Sequence, residues 1–438
     1  MKILDTGSKD FDKNFSLLEN RFDAGTSGKK ITATVETIIS DIQKNGDKAL
    51  FEYTKKFDRV SLTPATVKIS TSKMKSAGKT LPPKLKAAIK TSFNNVKIFH
   101  KRQVEKSWMM KTGRSSKIGQ KISPMERVGL YVPGGTAAYP SSVIMNAIPA
   151  LVAGVKEIVI CSPPSPDGKI NPAVLYAASL CGIKEFYTIG GAQAVAALAY
   201  GTKTIKKVDK ITGPGNAYVA EAKRQVFGQV DIDMVAGPSE ICVIADDSAD
   251  PAWVAADLLS QAEHDALSWT LLISTSGKLI KSVAIEVEKQ AGELARKEIA
   301  KKSLADRSYA VKVKSIAEAV EIANRFASEH LELYCKGASK LTDKIKHAGA
   351  IFVGGHSPEA LGDYMAGPNH ILPTAGSARF FSPLGVYDFV KRSSVIEYSR
   401  DDFAKIAEQV ALFASSEGLE GHALSAKMRI PKKGSGKK

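Results

Sequence analysis

The sequence predicts an α/β protein made of two incomplete Rossmann-like, doubly wound units, with a helical N-terminal region before them and a C-terminal extension after them. Three observations support this fold class. Short β-branched segments alternate with alanine-rich segments from Val128, a second alternation begins near Gly237, and glycine-rich turns separate strands from helices in the first. Strands joined through single helices must pair in parallel with right-handed crossovers, which produces an open doubly wound sheet with ligands at the carboxyl ends of its strands.

Composition narrows the class of protein. The 438 residues, 24% charged and 44% hydrophobic, are enough for more than one hydrophobic core. The formal charge of +17 is spread along helices and is not interleaved with aromatic residues, which argues against nucleic-acid binding. The start lacks the apolar segment of a signal peptide, and polar or helix-breaking residues interrupt the most apolar stretch, 143–155. We therefore expect a cytoplasmic protein with no membrane span and no nucleic-acid partner.

The order of segments predicts the domain boundaries. Residues 1–28 are expected to form a polar N-terminal arm, and residues 29–127 are expected to join 238–378 in a large α/β domain. Within 29–127, apolar residues recur at helical spacing up to Asp58, 67–70 is a short strand candidate, and Pro82-Pro83 suits the start of a helix. The Rossmann-like domain is expected at 128–237. A C-terminal extension, 379–438, follows, with a helix interrupted at Gly418 and a basic tail that should be disordered.

Three glycine-rich turns follow strands of the first alternation, at Gly134-Gly135, Gly190-Gly191 and Gly213-Pro214-Gly215. Bare backbone N–H groups and a helix dipole at such turns can bind an anion. None has the spacing GxGxxG, and no acidic residue ends a strand about twenty positions later, so the standard NAD fingerprint is missing. Nucleotide binding and a purely architectural turn both remain open. Tyr131, Gln193 and Asn216, which lie in or beside these turns, are the side chains that would favour binding.

The segment DLLSQAEHD places Gln261 and His264 three residues apart in a predicted amphipathic helix. Side chains at this spacing share a face and could reach one metal ion. Two donors are too few for a zinc site, so a polar helix face is the alternative.

Glu329 and His330 are predicted to lie where a helix ends and the strand LELY begins. A histidine beside a carboxylate suits general acid–base chemistry, and a helix C-terminus stabilised by an imidazolium is the alternative. His100 and His347 are expected to be surface residues. The four cysteines are expected to be buried, reduced thiols, although Cys161 could act as a nucleophile.

Longer segments of the chain resemble signatures of the histidinol dehydrogenase family. They cover nearly the whole chain and appear in the family's order. The segments that carry the resemblance are ERVGLYVPGGTAAYPSSVIMNAIPA, GGAQAVAALAYGT, DKITGPGNAYVAEAKRQV, DMVAGPSEICVIAD, DLLSQAEHD, SEHLEL, AGPNHILPT, VYDFVKRSSV and EGLEGHA. A series of this kind is far more specific than any single motif.

The resemblance implies a role for each matching residue. The implied zinc donors are Gln261, His264, Asp363 and His422. The implied acid–base pair is Glu329 and His330. The implied contacts to substrate are Ser239, His370 and Glu417, together with the zinc donors and His330. The implied contacts to NAD are Tyr131, Gln193 and Asn216.

The resemblance also implies a zinc-dependent, four-electron oxidation of L-histidinol to L-histidine with two NAD. It implies a homodimer in which the C-terminal extension is exchanged, so that Glu417 and His422 complete the partner's site. Two other functions remain open from the residues alone. One is the same zinc and NAD chemistry on another small alcohol, and the other is a zinc hydrolase in which Glu329 activates water without NAD.

Overall fold

The computed structural model describes residues 1–21, 28–134 and 139–430, so the predicted turn residue Gly135 and the basic tail from Pro431 lie outside the described residues. The chain forms two compact units. The first contains Met1–Gln103 and Met125–Phe389, and the second contains Val104–Pro124 and the chain from Val390.

Fifteen strands and seventeen α-helices lie in the described ranges. The strands are β1 (Lys2–Asp5), β2 (Lys68–Ile69), β3 (Trp108–Lys111), β4 (Lys117–Pro124), β5 (Arg127–Tyr131), β6 (Glu157–Cys161), β7 (Glu185–Tyr187), β8 (Lys210–Thr212), β9 (Asp231–Ile232), β10 (Glu240–Ala245), β11 (Trp269–Ser274), β12 (Ser308–Lys312), β13 (His330–Tyr334), β14 (Ala350–Val353) and β15 (Val390–Glu397). The helices are α1 (Phe11–Glu19), α2 (Lys29–Asn45), α3 (Asp47–Asp58), α4 (Thr71–Ala77), α5 (Pro83–Lys101), α6 (Pro140–Ala153), α7 (Pro172–Leu180), α8 (Gly191–Tyr200), α9 (Ala217–Val226), α10 (Pro251–Ala262), α11 (Gly277–Ala291), α12 (Lys297–Arg307), α13 (Ile316–Phe326), α14 (Glu359–Tyr364), α15 (Arg400–Ala404), α16 (Ala407–Ser416) and α17 (Glu420–Lys427). Short 3-10 helices occupy Ala338–Lys344, Ser377–Arg379 and Val386–Phe389.

One sheet of the first unit has the strand order β2-β7-β6-β5-β8-β9, parallel except for the edge strand β2. The direction of chain progression reverses between β5 and β8, which is where an open α/β sheet has its ligand crevice. Val128 and Leu130 face a core formed with α5, α6 and α7, and Val159 and Ile211 face a core formed with α2, α3, α8 and α9. Burial on both faces explains why these strands are almost wholly apolar.

The other large sheet of this unit has the order β1-β12-β11-β10-β13-β14, and all its strands are parallel. Its progression reverses between β10 and β13. Cores on both faces again bury it, so the predicted doubly wound α/β class is confirmed for both alternations. The edge strand β1 and helix α1 belong to the residues predicted as a polar arm, and the sequence pattern did not indicate either element.

The second unit contains an antiparallel sheet, β15-β4-β3, and the helices α15, α16 and α17. The predicted interruption of the C-terminal helix is present at Gly418, which has a φ of 75° between α16 and α17. Alanines pack these two helices against each other at Ala411, Ala414, Ala423 and Ala426.

Several sequence expectations about helix ends and burial are confirmed. Helix α5 starts at Pro83, and Gly46 separates α2 from α3. All four cysteines lie in the described ranges and are buried free thiols. The surface assignment of His100 is wrong, because its side chain is buried and its Nδ1 lies 2.8 Å from the carbonyl of Val96. No helix in the described parts of the chain combines the length and apolarity needed to cross a membrane.

Candidate active site

A cavity of about 1090 Å³ lies in the first unit. Its lining includes the turns that follow β5 and β8 and the residues at the start of β10 and β13. The prediction that ligand groups gather at carboxyl strand ends therefore applies to the first sheet. The second sheet contributes the amino ends of its strands, where backbone groups outside the strand ladder are available to hold side chains.

His330 is the first residue of β13 and is 3% exposed. Helix α13 ends at Phe326. The alternative that His330 stabilises a helix C-terminus is therefore not supported. Its Nδ1 lies 2.9 Å from the carbonyl oxygen of Glu240, which requires Nδ1 to carry the proton. Its Nε2 is then an acceptor, and it is buried without a hydrogen-bond partner among the described residues.

Burial sets the charge of this imidazole. Burial lowers the pKa of His330 to about 4, although the nearby Asp363 carboxylate opposes the shift. His330 is therefore neutral at neutral pH. A neutral imidazole in the wall of a cavity, with an unpartnered Nε2, is suited to accept a proton.

Glu329 is buried next to His330. Its Oε2 accepts a hydrogen bond of 2.9 Å from the backbone N–H of Glu240 and lies 3.8 Å from His330 Nδ1. Burial raises the pKa of Glu329 well above its usual range. A buried carboxyl group with a raised pKa beside a histidine is a candidate for acid–base chemistry.

Glu240 positions both members of this pair through its backbone. Its own carboxylate is fixed by the buried guanidinium of Arg21 and accepts a hydrogen bond of 3.0 Å from the backbone N–H of Ala375. Arg21 also lies over the ring of Phe326, 3.8 Å from its centroid. The sequence did not indicate these roles, because Arg21 and Glu240 are 219 positions apart.

Gln261 lies in the last turn of α10. His264, which lines the cavity, lies just beyond the end of this helix. The helix ends at Ala262, but the N–H of His264 still donates to the carbonyl of Gln261 at 3.2 Å, so the turn continues. The two side chains are therefore adjacent as predicted, although they do not share a regular helix face.

One orientation of the Gln261 amide satisfies the neighbouring oxygen atoms of Glu359 and Glu240. Its nitrogen then donates to the carboxylate of Glu359 at 2.9 and 3.2 Å and to the carbonyl of Glu240 at 3.2 Å. That nitrogen also lies 3.0 Å from His330 Nδ1, which cannot accept because it carries a proton. The carbonyl oxygen occupies the other amide position, 3.5 Å from His264 Nδ1. The amide oxygen of Gln261 and a ring nitrogen of His264, two atoms of the kinds that bind metals, are thus adjacent.

Two carboxylates of α14 complete this group of donors. Single ligand atoms of His264, Glu359 and Asp363 all lie within 4.8 Å of one another. Nitrogen and carboxylate donors at this separation fit a zinc ion. Glu359 was missed in the sequence, although its spacing of four residues from Asp363 on a helix was an available signal.

The predicted substrate residues Ser239 and His370 also line the cavity. His370 Nδ1 lies 3.7 Å from Asp363, and its Nε2 lies 3.5 Å from the hydroxyl of Ser142. Burial lowers the pKa of His370. These contacts place a second imidazole beside Asp363, one of the three residues whose ligand atoms could hold a metal ion.

The three predicted NAD residues line the same cavity. The hydroxyl of Tyr131 accepts a hydrogen bond of 3.0 Å from the N–H of Gly191, which ties β5 to the second glycine turn. Asn216 caps α9 with its carbonyl oxygen and keeps its amide nitrogen available. Gln193 is 1% exposed, and neither of its polar atoms has a partner within the described ranges.

Two predicted residues belong to the second unit. Glu417 follows α16 and His422 lies in α17, and both are exposed. Cys161 is buried, and burial raises the pKa of its thiol, so a thiolate nucleophile at this position is disfavoured.

The two doubly wound sheets and the buried histidine–carboxylate pair in the cavity define an α/β enzyme with a site suited to acid–base chemistry. The model of the histidinol dehydrogenase family matches residues 23–430. Histidinol dehydrogenase of Nitrosospira multiformis is 50% identical over 99% of this chain and 98% of its own length, and that of Bacillus subtilis is 51% identical over 94% and 96%. The crystal structure of histidinol dehydrogenase from Elizabethkingia anophelis covers 98% of both chains with a TM-score of 0.91 and 38% identity. The chain belongs to the histidinol dehydrogenase family and is a dehydrogenase, an oxidoreductase.

Proposed function

We propose that this enzyme oxidises L-histidinol to L-histidine through L-histidinal, which stays bound, and that two NAD take up the electrons. These are the final steps of histidine biosynthesis, and we assign them to the cytoplasm. The observation that carries the proposal is the fixed tautomer of His330, whose unpartnered Nε2 lies in a cavity beside Glu329 and the metal donors.

Zinc fits the donor set of the first unit. We assign it to the carbonyl oxygen of Gln261, to His264 and to Asp363, with His422 of the partner subunit as the fourth donor. The orientation of the Gln261 amide supports this assignment, because it places the amide oxygen 3.5 Å from His264 Nδ1. When bound, zinc would supply a Lewis acid that orients the imidazole of histidinol.

His330 and Glu329 then perform the proton transfers of the two oxidations. In the first oxidation His330 Nε2 takes the proton of the substrate hydroxyl. In the second, Glu329 takes a proton from the water that adds to the aldehyde while His330 returns its proton to the aldehyde oxygen, and His330 then takes a hydroxyl proton of the resulting hydrate. When bound, NAD accepts the hydride in each oxidation. The burial of both residues keeps bulk water away from the groups that exchange protons.

NAD fits the part of the cavity lined by the glycine turns. Gln193 is nearly fully buried there with both of its polar atoms unpartnered, which is costly unless a ligand supplies the hydrogen bonds. The hydroxyl of Tyr131 and the amide nitrogen of Asn216 are further donors toward the same space.

The substrate is assigned by charge. Histidinol carries an ammonium group and an imidazole, and Asp363 with Glu417 of the partner subunit would neutralise the first and hydrogen-bond the second. Ser239 and His370 line the remaining wall. Another small alcohol without a cation would leave the carboxylate of Glu417 of the partner subunit without a counter-charge in the site.

We assign a homodimer because the second unit exposes a large apolar surface. Leu412 and Phe413 of α16, Leu424 of α17 and Met428 just after α17 are 59–75% exposed, while alanines of the same helices are buried between them. Exposed apolar side chains of this size indicate a protein interface. An interface at these helices is also where Glu417 and His422 lie.

Mixed dimers test the shared site. His330→Asn and His422→Asn chains, each inactive alone, are co-expressed with different tags, and the hybrid is purified. If the site is shared, one of the two sites in the hybrid is intact, and the hybrid regains about half of the wild-type activity per dimer. A hybrid that stays inactive would show that each site uses residues of one chain.

The reaction is tested by NADH absorbance. Purified protein with zinc, NAD and L-histidinol should produce NADH, and a chelator should stop the reaction until zinc is returned. An absence of NADH under these conditions would refute the proposed function.

A further inference from the structure

The coenzyme part of the cavity lacks an acidic residue at the position where a Rossmann unit usually has one. In such units a carboxylate that ends the second strand accepts a hydrogen bond from the ribose 2′-hydroxyl of NAD. The second strand of this sheet by topology is β6, which ends at Cys161 and is followed by Ser162 and Pro163. Neither of these side chains is a charged acceptor for a ribose.

Asp58 supplies a carboxylate from a different part of the chain. It is the last residue of α3 and lines the cavity. Its Oδ2 is inaccessible to solvent and has no hydrogen-bond partner among the described residues. Burial raises the pKa of Asp58 to about 6. A buried acceptor without a partner is stabilised when a ligand hydroxyl donates a hydrogen bond to it.

Asp58 is also accompanied by a surface for a base. Phe57, the preceding residue, lines the same cavity, is 49% exposed and stacks on Tyr53 with ring centroids 5.8 Å apart. An exposed ring held by a second ring is a stacking platform for a heterocycle. An acceptor for a ribose next to a platform for a base matches an adenosine.

The position of the acid–base pair fixes which end of NAD lies here. The nicotinamide must lie beside His330, which belongs to β13 of the other sheet. Helix α3 packs on α8 of the Rossmann-like sheet, and the glycine turns lie in the lining together with both groups. The adenosine of a bound NAD therefore lies toward Asp58.

The cations of the cavity do not favour a phosphate in place of this hydroxyl. Among the described cationic residues of the lining, Lys223 is paired with Asp233 and Arg224 with Glu221, and Arg296 donates to the carbonyl of His264. A phosphate added to the ribose would meet the carboxylate of Asp58 without a dedicated counter-charge.

We infer that Asp58 accepts a hydrogen bond from the 2′-hydroxyl of the adenosine ribose of NAD and thereby excludes NADP. The inference rests on the proposed use of NAD by this enzyme. It makes Asp58, from a helix outside the βα repeats, the counterpart of the acidic residue that the glycine fingerprint normally brings with it.

Binding measurements on the purified zinc-loaded protein test the inference independently of turnover. Dissociation constants of NAD, 2′-deoxy-NAD and NADP are measured by calorimetry for the wild type, Asp58→Ala, Asp58→Asn and the control Glu52→Gln, an exposed acid on the same helix. The wild type should bind NAD about 10- to 100-fold more tightly than 2′-deoxy-NAD, as expected for a hydrogen bond to a charged group. Asp58→Ala should weaken the binding of NAD by the same factor and leave the affinity for 2′-deoxy-NAD unchanged.

The two Asp58 variants should also narrow the preference for NAD over NADP, and Glu52→Gln should not. If Asp58→Ala loses affinity for NAD and for 2′-deoxy-NAD equally, with an unchanged melting temperature, the inference is overturned. The proposed function would be left intact. A wild type that binds none of the three dinucleotides would overturn both.

Discussion

At the scale of single residues, the site is defined by polar atoms whose partners are fixed by the backbone. The carbonyl of Glu240 determines which nitrogen of His330 is free, and its N–H holds Glu329. The sequence could identify His330 and Glu329 because they are adjacent and chemically distinctive. It could not identify Glu240, Arg21 or Asp58, since their importance depends on partners or cavities assembled from distant segments.

Glu359 gives a prediction at this scale. Its carboxylate holds the Gln261 amide nitrogen, and this leaves the carbonyl oxygen beside His264. Replacing Glu359 with Met removes the acceptor with little change in volume. We expect zinc affinity to fall about 10- to 100-fold, as for loss of other residues that orient a metal ligand. Competition with a chromogenic chelator measures the affinity.

The matched control for this prediction is Glu263→Gln, an acid next to His264 in the chain that makes no contact with the Gln261 amide in the described structure. It should keep wild-type zinc affinity. Equal affinity in Glu359→Met and the wild type would show that Glu359 does not orient the ligand.

At the scale of elements, the turn after β8 shows how a glycine-rich segment can be architectural and functional together. Gly213 has a φ of 114°, and a Cβ there would lie 2.0 Å from the carbonyl oxygen of Tyr131. Its N–H donates to Asp233 at 2.7 Å and its carbonyl accepts from Lys223 at 2.9 Å. The sequence left binding and architecture open at this turn, because both require the same glycine.

Gly213→Ala should therefore destabilise the protein more than a positive φ alone would. The control is Gly228→Ala, where φ is 101° but no atom lies within 4 Å of the added Cβ. Backbone strain alone should cost the control about 1–3 kcal/mol. Gly213→Ala should cost more because the clash separates β5 from β8. Urea unfolding compares them, and equal losses would contradict the steric account.

At the scale of the whole molecule, the two α/β units were predictable because doubly buried strands and their helices have a strong apolar pattern. The three-stranded sheet was not. All four residues of β3 are exposed, and β15 has no buried residue, so neither strand carries the alternation that indicates a strand. The edge strand β1 was missed for the same reason, since none of its four residues is buried.

A buried acid on the second sheet gives a prediction about stability as a function of pH. Burial raises the pKa of Glu332 well above its usual range, and its Oε1 accepts from the N–H of Glu359 at 2.8 Å. The unfolded chain releases this proton near the ordinary value, while the native state retains it. The contribution of this proton to the free energy of unfolding is therefore full at low pH. It is lost as the pH rises from the ordinary value through the native pKa, by about 1.4 kcal/mol per pH unit for one proton.

Glu332→Gln removes the proton but keeps an oxygen for the Glu359 N–H. The free energy of unfolding, measured in urea at several pH values, should fall less steeply with rising pH than in the wild type. The control is Glu288→Gln, an exposed acid on α11, which should keep the wild-type slope. A wild-type slope in Glu332→Gln would show that this carboxyl group is already ionised in the native protein.

The central claim is that one site oxidises L-histidinol twice. The most direct test is the yield of NADH for each L-histidinol consumed by the zinc-loaded enzyme with excess NAD. We predict two equivalents of NADH and L-histidine as the product. One equivalent, with L-histidinal released, would contradict the second oxidation and the role of Glu329 in activating water.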